Sequence, residues 1–322
     1  MPILLELRGL QASGKSTYAR NLVYANNWVR VNRDDLREQM FNSKWSQRKE
    51  DVIRDAELAI AEKAIRAGFN VVVDDTNLSK SAQNMWSSLK SIFAYEPGDV
   101  THTIEFIDTP VDECIKRDYD RSHSVGRSII EQTALRYGLL PELKDSKPIV
   151  FVDIDGTIAD LTHRRQFVTI PDDDQISEGN KPFKKDWDSF FNAIRYDKPI
   201  QFVIDWVNAL YNSGEYYIFL LSGRNTNTQQ DTLEWLYNNG VNFHRILMRN
   251  ASDHRPDFEV KSGFMKMFPK DKIAFAIDDR PQVVELVWRL NGIRVFQVNT
   301  WEAWPQTEHD FIKKTKERLE SK

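Results

Sequence analysis

A single cysteine, Cys114, in a chain of 322 residues excludes an internal disulfide and favours a reducing compartment. Cys114 itself reads as a small helix residue rather than a nucleophile. No apolar run approaches the roughly 18 residues that a membrane span needs. The N-terminus enters a strand at once, at Pro2-Ile3-Leu4-Leu5, so neither a signal peptide nor a membrane association is expected. A strong charge of one sign is also missing. The net charge of −4 supplies no whole-protein basic field, which disfavours a protein that coats long nucleic acid but leaves room for local positive charge at a site. There is no internal repeat and no low-complexity tract. What remains is 41% hydrophobic and 29% charged, the composition of soluble globular domains, and the length suits two of them.

Strand-like runs alternate with helical patterns throughout, which predicts an α/β protein with largely parallel sheets. The first series of strands reads Ile3–Leu7, Trp28–Asn32, Phe69–Asp74 and Thr103–Ile107. A helix is expected over Asp51–Ala67, closed by Gly68, and another from Thr109-Pro110, with Thr109 as cap and Pro110 at the first helical position. A polar stretch, Lys144–Pro148, marks a seam. Beyond it the strands read Ile149–Val152, Tyr217–Leu221, Arg245–Met248, Ile273–Ile277 and Val295–Val298. The expected domains are therefore 1–146 and 147–300, with a charged extension at 301–322 whose default reading is a solvated amphipathic helix. The polar segment 165–198 reads as an insertion over the second site.

The first motif is Gly9-Leu-Gln-Ala-Ser-Gly14-Lys15-Ser16-Thr17, between a strand and a helix. Glycines at these places let backbone N–H groups close around phosphates, the lysine reaches the β/γ oxygens, and the serine hydroxyl ligates Mg²⁺. ATP is the expected donor. Asp34, in Asn32-Arg33-Asp34-Asp35, follows the second strand, where a carboxylate can accept a proton from an attacking hydroxyl and Arg37 can hold the acceptor's phosphate. A solvated turn with an Asp cap is the alternative. Asp75 and Asn77 follow the third strand and could orient the acceptor or serve as caps. Arg117 and Arg121 share one helix face and could neutralise charge on the donor phosphates, or form a solvated face with Asp118 and Asp120.

The second motif is Ile149-Val-Phe-Val-Asp153-Ile-Asp155-Gly-Thr, an apolar strand ending in two aspartates on one side. A carboxylate attacks phosphorus only when cations neutralise the phosphate, and a neighbouring acid can protonate the leaving alkoxide and then activate water. Ser222-Gly-Arg224, Lys261 and Asp278-Asp279 stand at or near later strand ends in the order such a site requires, with Mg²⁺ as the metal that suits the oxygen donors.

The Asp-x-Asp-Gly-Thr, Ser, Lys, Asp-Asp series resembles the haloacid-dehalogenase phosphatases. With the phosphate loop in front, and with Asn-Arg-Asp34-Asp, Asp75-Thr-Asn, His254-Arg-Pro-Asp257 and Ala-Ile-Asp278-Asp-Arg-Pro-Gln-Val-Val-Glu in order, the chain resembles the bacteriophage-type polynucleotide kinase/3′-phosphatase family. The resemblance implies that Lys15 and Ser16 bind ATP and metal, Asp34 is the base on a 5′-hydroxyl, and Arg37 holds the acceptor's 3′-phosphate. Arg121, with Arg117, becomes the lid arginine. Asp153 becomes the phosphatase nucleophile and Asp155 its general acid/base. Arg164, Ser222, Arg224, Asp257 and Lys261 bind substrate phosphate or support that network, and Asp278 and Asp279 complete a metal site with Asp153 and Asp155. It further implies nucleic-acid ends, RNA or DNA, as substrates, a ligase as pathway partner, and a cytoplasmic location, that of the host if the chain is phage-encoded. An inherited homo-oligomer interface stays open. A metabolite kinase fused to a metabolite phosphatase and a nucleotide-switched binding module are the rival readings.

Overall fold

In the computed structural model, which describes residues 1–25, 27–43, 46–93, 100–168, 184–298 and 306–321, the first four apolar runs form one parallel sheet. Its strands are β1 (Ile3–Arg8), β2 (Trp28–Val31), β3 (Asn70–Val73) and β4 (Thr101–Phe106), in the order β2-β3-β1-β4. The near-continuous Leu/Val runs of β1 and β3 are those of strands covered on both faces. Around the sheet lie α1 (Lys15–Tyr24), α2 (Arg33–Phe41), α3 (Gln47–Arg66), α4 (Lys80–Phe93) and α5 (Val111–Tyr119). Leu4, Val71, Val73 and Trp86 pack in its core. Helix α3 starts four residues before the expected Asp51, because Ser46 caps it by accepting from the Lys49 N–H at 3.4 Å. Gly68, at φ 85°, ends it as expected.

The second sheet is also parallel. It is built from β5 (Ile149–Asp153), β8 (Tyr217–Asn225), β9 (Arg245–Arg249), β10 (Ile273–Asp278) and β11 (Val295–Gln297), in the order β11-β10-β5-β8-β9. The central strand β5 is buried along its whole length. A two-residue antiparallel pair, β6 (Ala159–Asp160) with β7 (Lys198–Pro199), stands beside α7 (Thr162–Arg165) and α8 (Trp187–Asn192). Helices α9 (Gln201–Asn212), α10 (Gln229–Asn238) and α11 (Asp257–Met265) complete the layers, and α12 (Pro281–Val283) runs into a π-helical turn, Val284–Trp288. Of the expected insertion, residues 169–183 lie outside the described residues.

Two differences from the sequence reading concern boundaries. The chain divides into two units, Met1–Val125 and Gly126–Lys322, so the expected seam at 144–148 lies inside the second unit. The reason is helix α6 (Arg127–Arg136), which lies against the edge strand β9. Its side chains take the place of a further strand. The Ile246 N–H donates to Glu131 Oε2 at 2.8 Å, the Met248 N–H donates to Ser128 Oγ at 2.9 Å, and Gln132 Nε2 donates to the Met248 carbonyl at 2.8 Å. Outward-facing backbone groups of an edge strand are thereby satisfied within the unit. The second difference is the tail. Helix α13 (Gln306–Glu320) is not a solvated helix: Ile312 and Thr315 are buried, and Phe311 meets Phe258 of α11 edge to face at 6.1 Å. Among the described residues, no helix is long and apolar enough to cross a membrane.

Candidate active sites

In the first unit the loop after β1 is built for backbone donors. Gly9 and Gly14 hold φ of 147° and 105°, and a Cβ on Gly9 would stand 2.8 Å from the Ile107 carbonyl oxygen. Lys15 Nζ folds over the loop and donates to the carbonyls of Gly9 (3.1 Å) and Leu10 (2.5 Å) and to Ser13 Oγ (3.2 Å). Burial lowers its pKa to about 8. Ser16 Oγ donates to Asp74 Oδ1 at 3.2 Å. Asp74 was not singled out from the sequence, although it ends the run Val71-Val72-Val73, and a hydroxyl beside a carboxylate at a strand end is the pairing that holds Mg²⁺ in phosphate-loop enzymes. Thr17 is exposed in the first turn of α1.

The acceptor side takes its shape from α2. Asn32 caps the helix by accepting from the Asp35 N–H at 3.0 Å. This leaves Asp34 in the first turn with its side chain 80% exposed and hydrogen-bonded to Arg37. Arg37 is itself gripped by both oxygens of Glu50, at 2.6 and 2.9 Å. That pairing, outweighing burial and helped by Asp34, raises its pKa further and keeps it charged. Asp75 faces inward: it accepts from the Arg33 N–H at 3.1 Å and lies against Glu57, whose pKa burial and Asp75 push up to about 9. Asn77, expected near the acceptor, is interior. It is 2% exposed and adopts φ 47°, its amide donating to the Leu7 carbonyl at 2.9 Å and its oxygen accepting from Trp86 Nε1 at 3.3 Å.

Arg117 extends from α5 to donate to the Ser13 carbonyl at 3.3 Å, so it does reach the loop. Arg121 is near Asp118, at 3.5 Å, with a 45% exposed side chain. The cap expected of Thr109 is corrected: Pro110 is the residue before α5, and Thr109 Oγ1 donates to the Ser13 carbonyl at 2.7 Å, tying that helix to the loop instead.

In the second unit the carboxylates gather where β5 and β10 end side by side. Asp153, Asp278 and Asp279 can bring one oxygen each to within 4.8 Å of one another, and all three are buried. A Cβ on Gly156 would stand 2.0 Å from Asp279 Oδ2, so only glycine leaves room for that carboxylate. Three hard oxygen donors in a cradle suit Mg²⁺. Lys261 Nζ bridges Asp153 Oδ1 (2.6 Å) and Asp278 Oδ2 (3.1 Å), and Thr157 Oγ1 donates to Asp153 Oδ2 at 3.1 Å. Burial, with Asp278 and Asp279 nearby, pushes Asp153 up against the pull of Lys261.

The Asp155 carboxylate stands apart from this trio. Arg224 donates to both its oxygens (Nε at 3.0 and 3.2 Å), and Arg164 pairs with Oδ1. Burial favours its neutral form, but the two guanidiniums win and hold it well below the usual carboxylate range. Asp197, which the sequence reading missed, completes the square: it accepts from Arg164 Nε and Nη2 and from Arg224 Nη2, each at 2.7 Å. Both arginines are fully buried, and Phe190 lies under the Arg164 guanidinium at 4.3 Å. Ser222 is fully buried and accepts from the Arg224 N–H at 3.1 Å. Asp257 lies 3.6 Å from Lys261 and 3.5 Å from Arg249, an arginine without a motif of its own. A Cβ on Gly223 would meet Asp257 Oδ1 at 2.2 Å, so this glycine makes room for that carboxylate.

These features define a phosphate-loop domain followed by a haloacid-dehalogenase-like phosphatase domain. Residues 4–139 match the AAA domain model, and residues 179–302 match the polynucleotide kinase PNKP phosphatase domain model. The chain thus carries a kinase-type domain and a PNKP-type phosphatase domain, as the sequence resemblance implied. It is 26% identical to a protein of Autographa californica nuclear polyhedrosis virus named as a bifunctional polynucleotide kinase/RNA ligase. That match takes in 92% of this chain, and the chain spans 42% of the relative's length. A structure of the Pnkp1/Rnl/Hen1 RNA repair complex contains a chain 26% identical over 94% of this one and 97% of its own length, with a TM-score of 0.37. A β-phosphoglucomutase from Thermotoga maritima is 14% identical over 50% of this chain and 90% of its own, with a TM-score of 0.33.

Proposed function

We propose that the chain repairs nucleic-acid ends: it moves the γ-phosphate of ATP to a 5′-hydroxyl and removes a 3′-phosphate, or a 2′,3′-cyclic phosphate, from RNA or DNA. The observation that carries this reading is the coexistence of two complete and chemically opposite phosphate sites, a phosphate loop with its Ser16–Asp74 pair and a nucleophilic aspartate with its lysine and acidic partners.

In the first site Lys15 leaves its loop carbonyls to place positive charge on the transferring phosphate, and the loop amides hold the donor. Asp34, exposed at the start of α2 beside Arg37, takes the proton of the attacking hydroxyl. Arg37, kept charged by Glu50, holds the acceptor's neighbouring phosphate. Arg117 and Arg121 are available to the donor oxygens. Ser16 and Asp74 would hold Mg²⁺ there. Asp75 supports the acceptor side by fixing the Asn32-Arg33 backbone.

In the second site Asp153 attacks phosphorus, the bond to the 3′-oxygen breaks, and an aspartyl-phosphate forms. Asp153, Asp278 and Asp279 would hold Mg²⁺, which supplies the charge neutralisation this attack needs. Lys261 offsets the remaining charge. The substrate phosphate competes with Asp155 for Arg164 and Arg224. As they turn to it, Asp155 takes up a proton, gives it to the leaving oxygen, and then draws one from the water that hydrolyses the intermediate. Ser222 and Asp257 hold Arg224 and Lys261 for this exchange. The resulting 5′-phosphate and 3′-hydroxyl are the ends that an ATP-dependent ligase joins, so a ligase is the fitting pathway partner.

The test is to incubate the full chain, ATP and Mg²⁺ with RNA and DNA oligonucleotides bearing 5′-hydroxyl and 3′-phosphate, with sugars, nucleosides and small phosphate esters as competitors. Conversion of both oligonucleotide ends, little affected by the competitors, is expected. Turnover confined to the small molecules would replace this reading with a metabolite kinase and phosphatase.

A further inference from the structure

The π-helical turn Val284–Trp288 follows within a few residues of the strand end that carries Asp278 and Asp279. A π-turn, with its i→i+5 hydrogen bonds, is rare and is frequently found at functional sites. Here it ends on Trp288, 1% exposed, whose indole Nε1 donates to Asp278 Oδ2 at 3.2 Å. The same ring stacks on Phe151 of β5, with centroids 5.6 Å apart and planes at 21°. Phe151 is two residues before Asp153. One indole therefore braces the strand of the nucleophile and hydrogen-bonds the carboxylate at the end of the neighbouring strand. Asp278 Oδ1 accepts from the Arg280 N–H at 3.1 Å, and Oδ2 also accepts from Lys261 Nζ at 3.1 Å, so Trp288 is the uncharged, ring-borne donor that shares Oδ2 with the lysine.

We propose that Trp288 is a positioning residue of the phosphatase: its N–H fixes the rotation of the Asp278 carboxylate and so sets the affinity of the acidic trio for a divalent cation. The inference rests on the reading of Asp153, Asp278 and Asp279 as a Mg²⁺ site. Outer partners that orient ligating carboxylates typically matter by about 10–100-fold in metal affinity or activity. Packing alone would make a different demand on the site, because a phenyl ring could fill much of the same space against Phe151 without a donor.

The experiment uses the full chain without nucleotide, in a Ser16→Ala background so that the first site contributes no metal. Mn²⁺ binding is followed by electron paramagnetic resonance, and thermal unfolding is recorded without metal. Asp279→Asn serves as the control for the site itself. Trp288→Phe is expected to weaken Mn²⁺ binding by about 10-fold while the protein still unfolds cooperatively. At saturating metal, its phosphatase kcat should recover more than half of the parent value. Unchanged Mn²⁺ affinity in folded Trp288→Phe, alongside weakened binding in Asp279→Asn, would overturn the role of Trp288 and leave the metal site standing. Unchanged affinity in both variants, or no binding in the parent, would overturn the metal site on which the inference rests. If Trp288→Phe does not fold, Trp288→His supplies a shorter ring that retains an N–H donor. Mn²⁺ affinity weakened by 10-fold or more in folded Trp288→His, despite its donor, would count against the hydrogen bond, and affinity within about 3-fold of the parent would support it.

Discussion

Ser16 and Asp74 meet at 3.2 Å although 58 residues separate them, one at the head of α1 and the other just past β3. The adjacency of β1 and β3 in the sheet makes the pair. Asp74→Asn is expected to lower 5′-phosphorylation by about 100-fold, the upper range for a partner of a metal site, and to leave 3′-phosphatase activity unchanged. Single-turnover transfer at several Mg²⁺ concentrations checks this. Full activity at low Mg²⁺ would remove Asp74 from the site.

The two chemistries should separate by residue. Lys15→Ala is expected to eliminate phosphorylation and spare dephosphorylation, and Asp153→Ala to do the reverse, because one acts on a transferring phosphate of ATP and the other as a nucleophile. Both activities are measured on one doubly modified oligonucleotide. A folded Lys15→Ala protein that loses both would argue for one composite site.

ATP affinity should depend on pH through Lys15. Burial lowers its pKa to about 8 in the free loop, while bound phosphates favour the charged form. Binding therefore takes up a proton above pH 8. Affinity should be flat below that value and fall as pH rises through and beyond it. Calorimetry at pH 7 to 9.5 in buffers of different ionisation heat reads the proton directly. A flat profile, with no proton uptake, would mean that Lys15 is charged in both states.

Removing one member of the buried Arg164–Arg224–Asp155–Asp197 square should cost stability as well as activity. Arg224→Met leaves Asp155 and Asp197, the latter fully buried, to share Arg164 alone, so one buried negative charge goes uncompensated, and breaking such a pairing costs about 3–5 kcal/mol. Urea unfolding followed by phosphatase loss is expected to shift to lower denaturant, with kinase activity surviving at concentrations where phosphatase activity is gone. An unshifted transition would show that the square is solvated in solution.

Truncation tests the boundaries. A fragment of 126–322 retains α6 and should keep phosphatase activity, whereas 147–322 lacks Ser128, Glu131 and Gln132 and should be poorly soluble. Ending the chain at 300 removes the cover that α13 gives Phe258, which lies between Asp257 and Lys261 on α11, and should reduce phosphatase activity several-fold without touching the kinase. Equal solubility of the two N-terminal truncations would deny α6 its part in the second unit.

The sheets and most of both sites were legible in the sequence because their signals are local. Apolar runs ended in polar residues where β1, β3, β5, β8 and β10 end, and glycines stood where backbone or a carboxylate passes close, as Gly9 and Gly156 do. The remainder depends on who meets whom. Asp197 has no motif around it and acquires meaning only when two arginines from α7 and β8 converge on it. Thr109 has the pattern of a cap, but the nearer carbonyl of Ser13 claims its hydroxyl. Asn77 has the strand-end placement of a substrate ligand, yet its left-handed backbone turns the amide into the interior. Asp155 follows the nucleophile by two residues, and no local rule separates a carboxylate that faces the acidic trio from one that faces the arginines.

The way α6 closes β9 also limits how this protein can associate. A sheet grows by offering unsatisfied amides and carbonyls to a further strand, whatever that strand's side chains are. At Ile246 and Met248 the amides are already committed to Glu131 and Ser128, through a helix that no extended segment can displace without stranding a buried carboxylate. Strand exchange with a second copy is therefore closed at this edge, and slow amide exchange at Ile246 and Met248 that disappears in Glu131→Ala would be its signature.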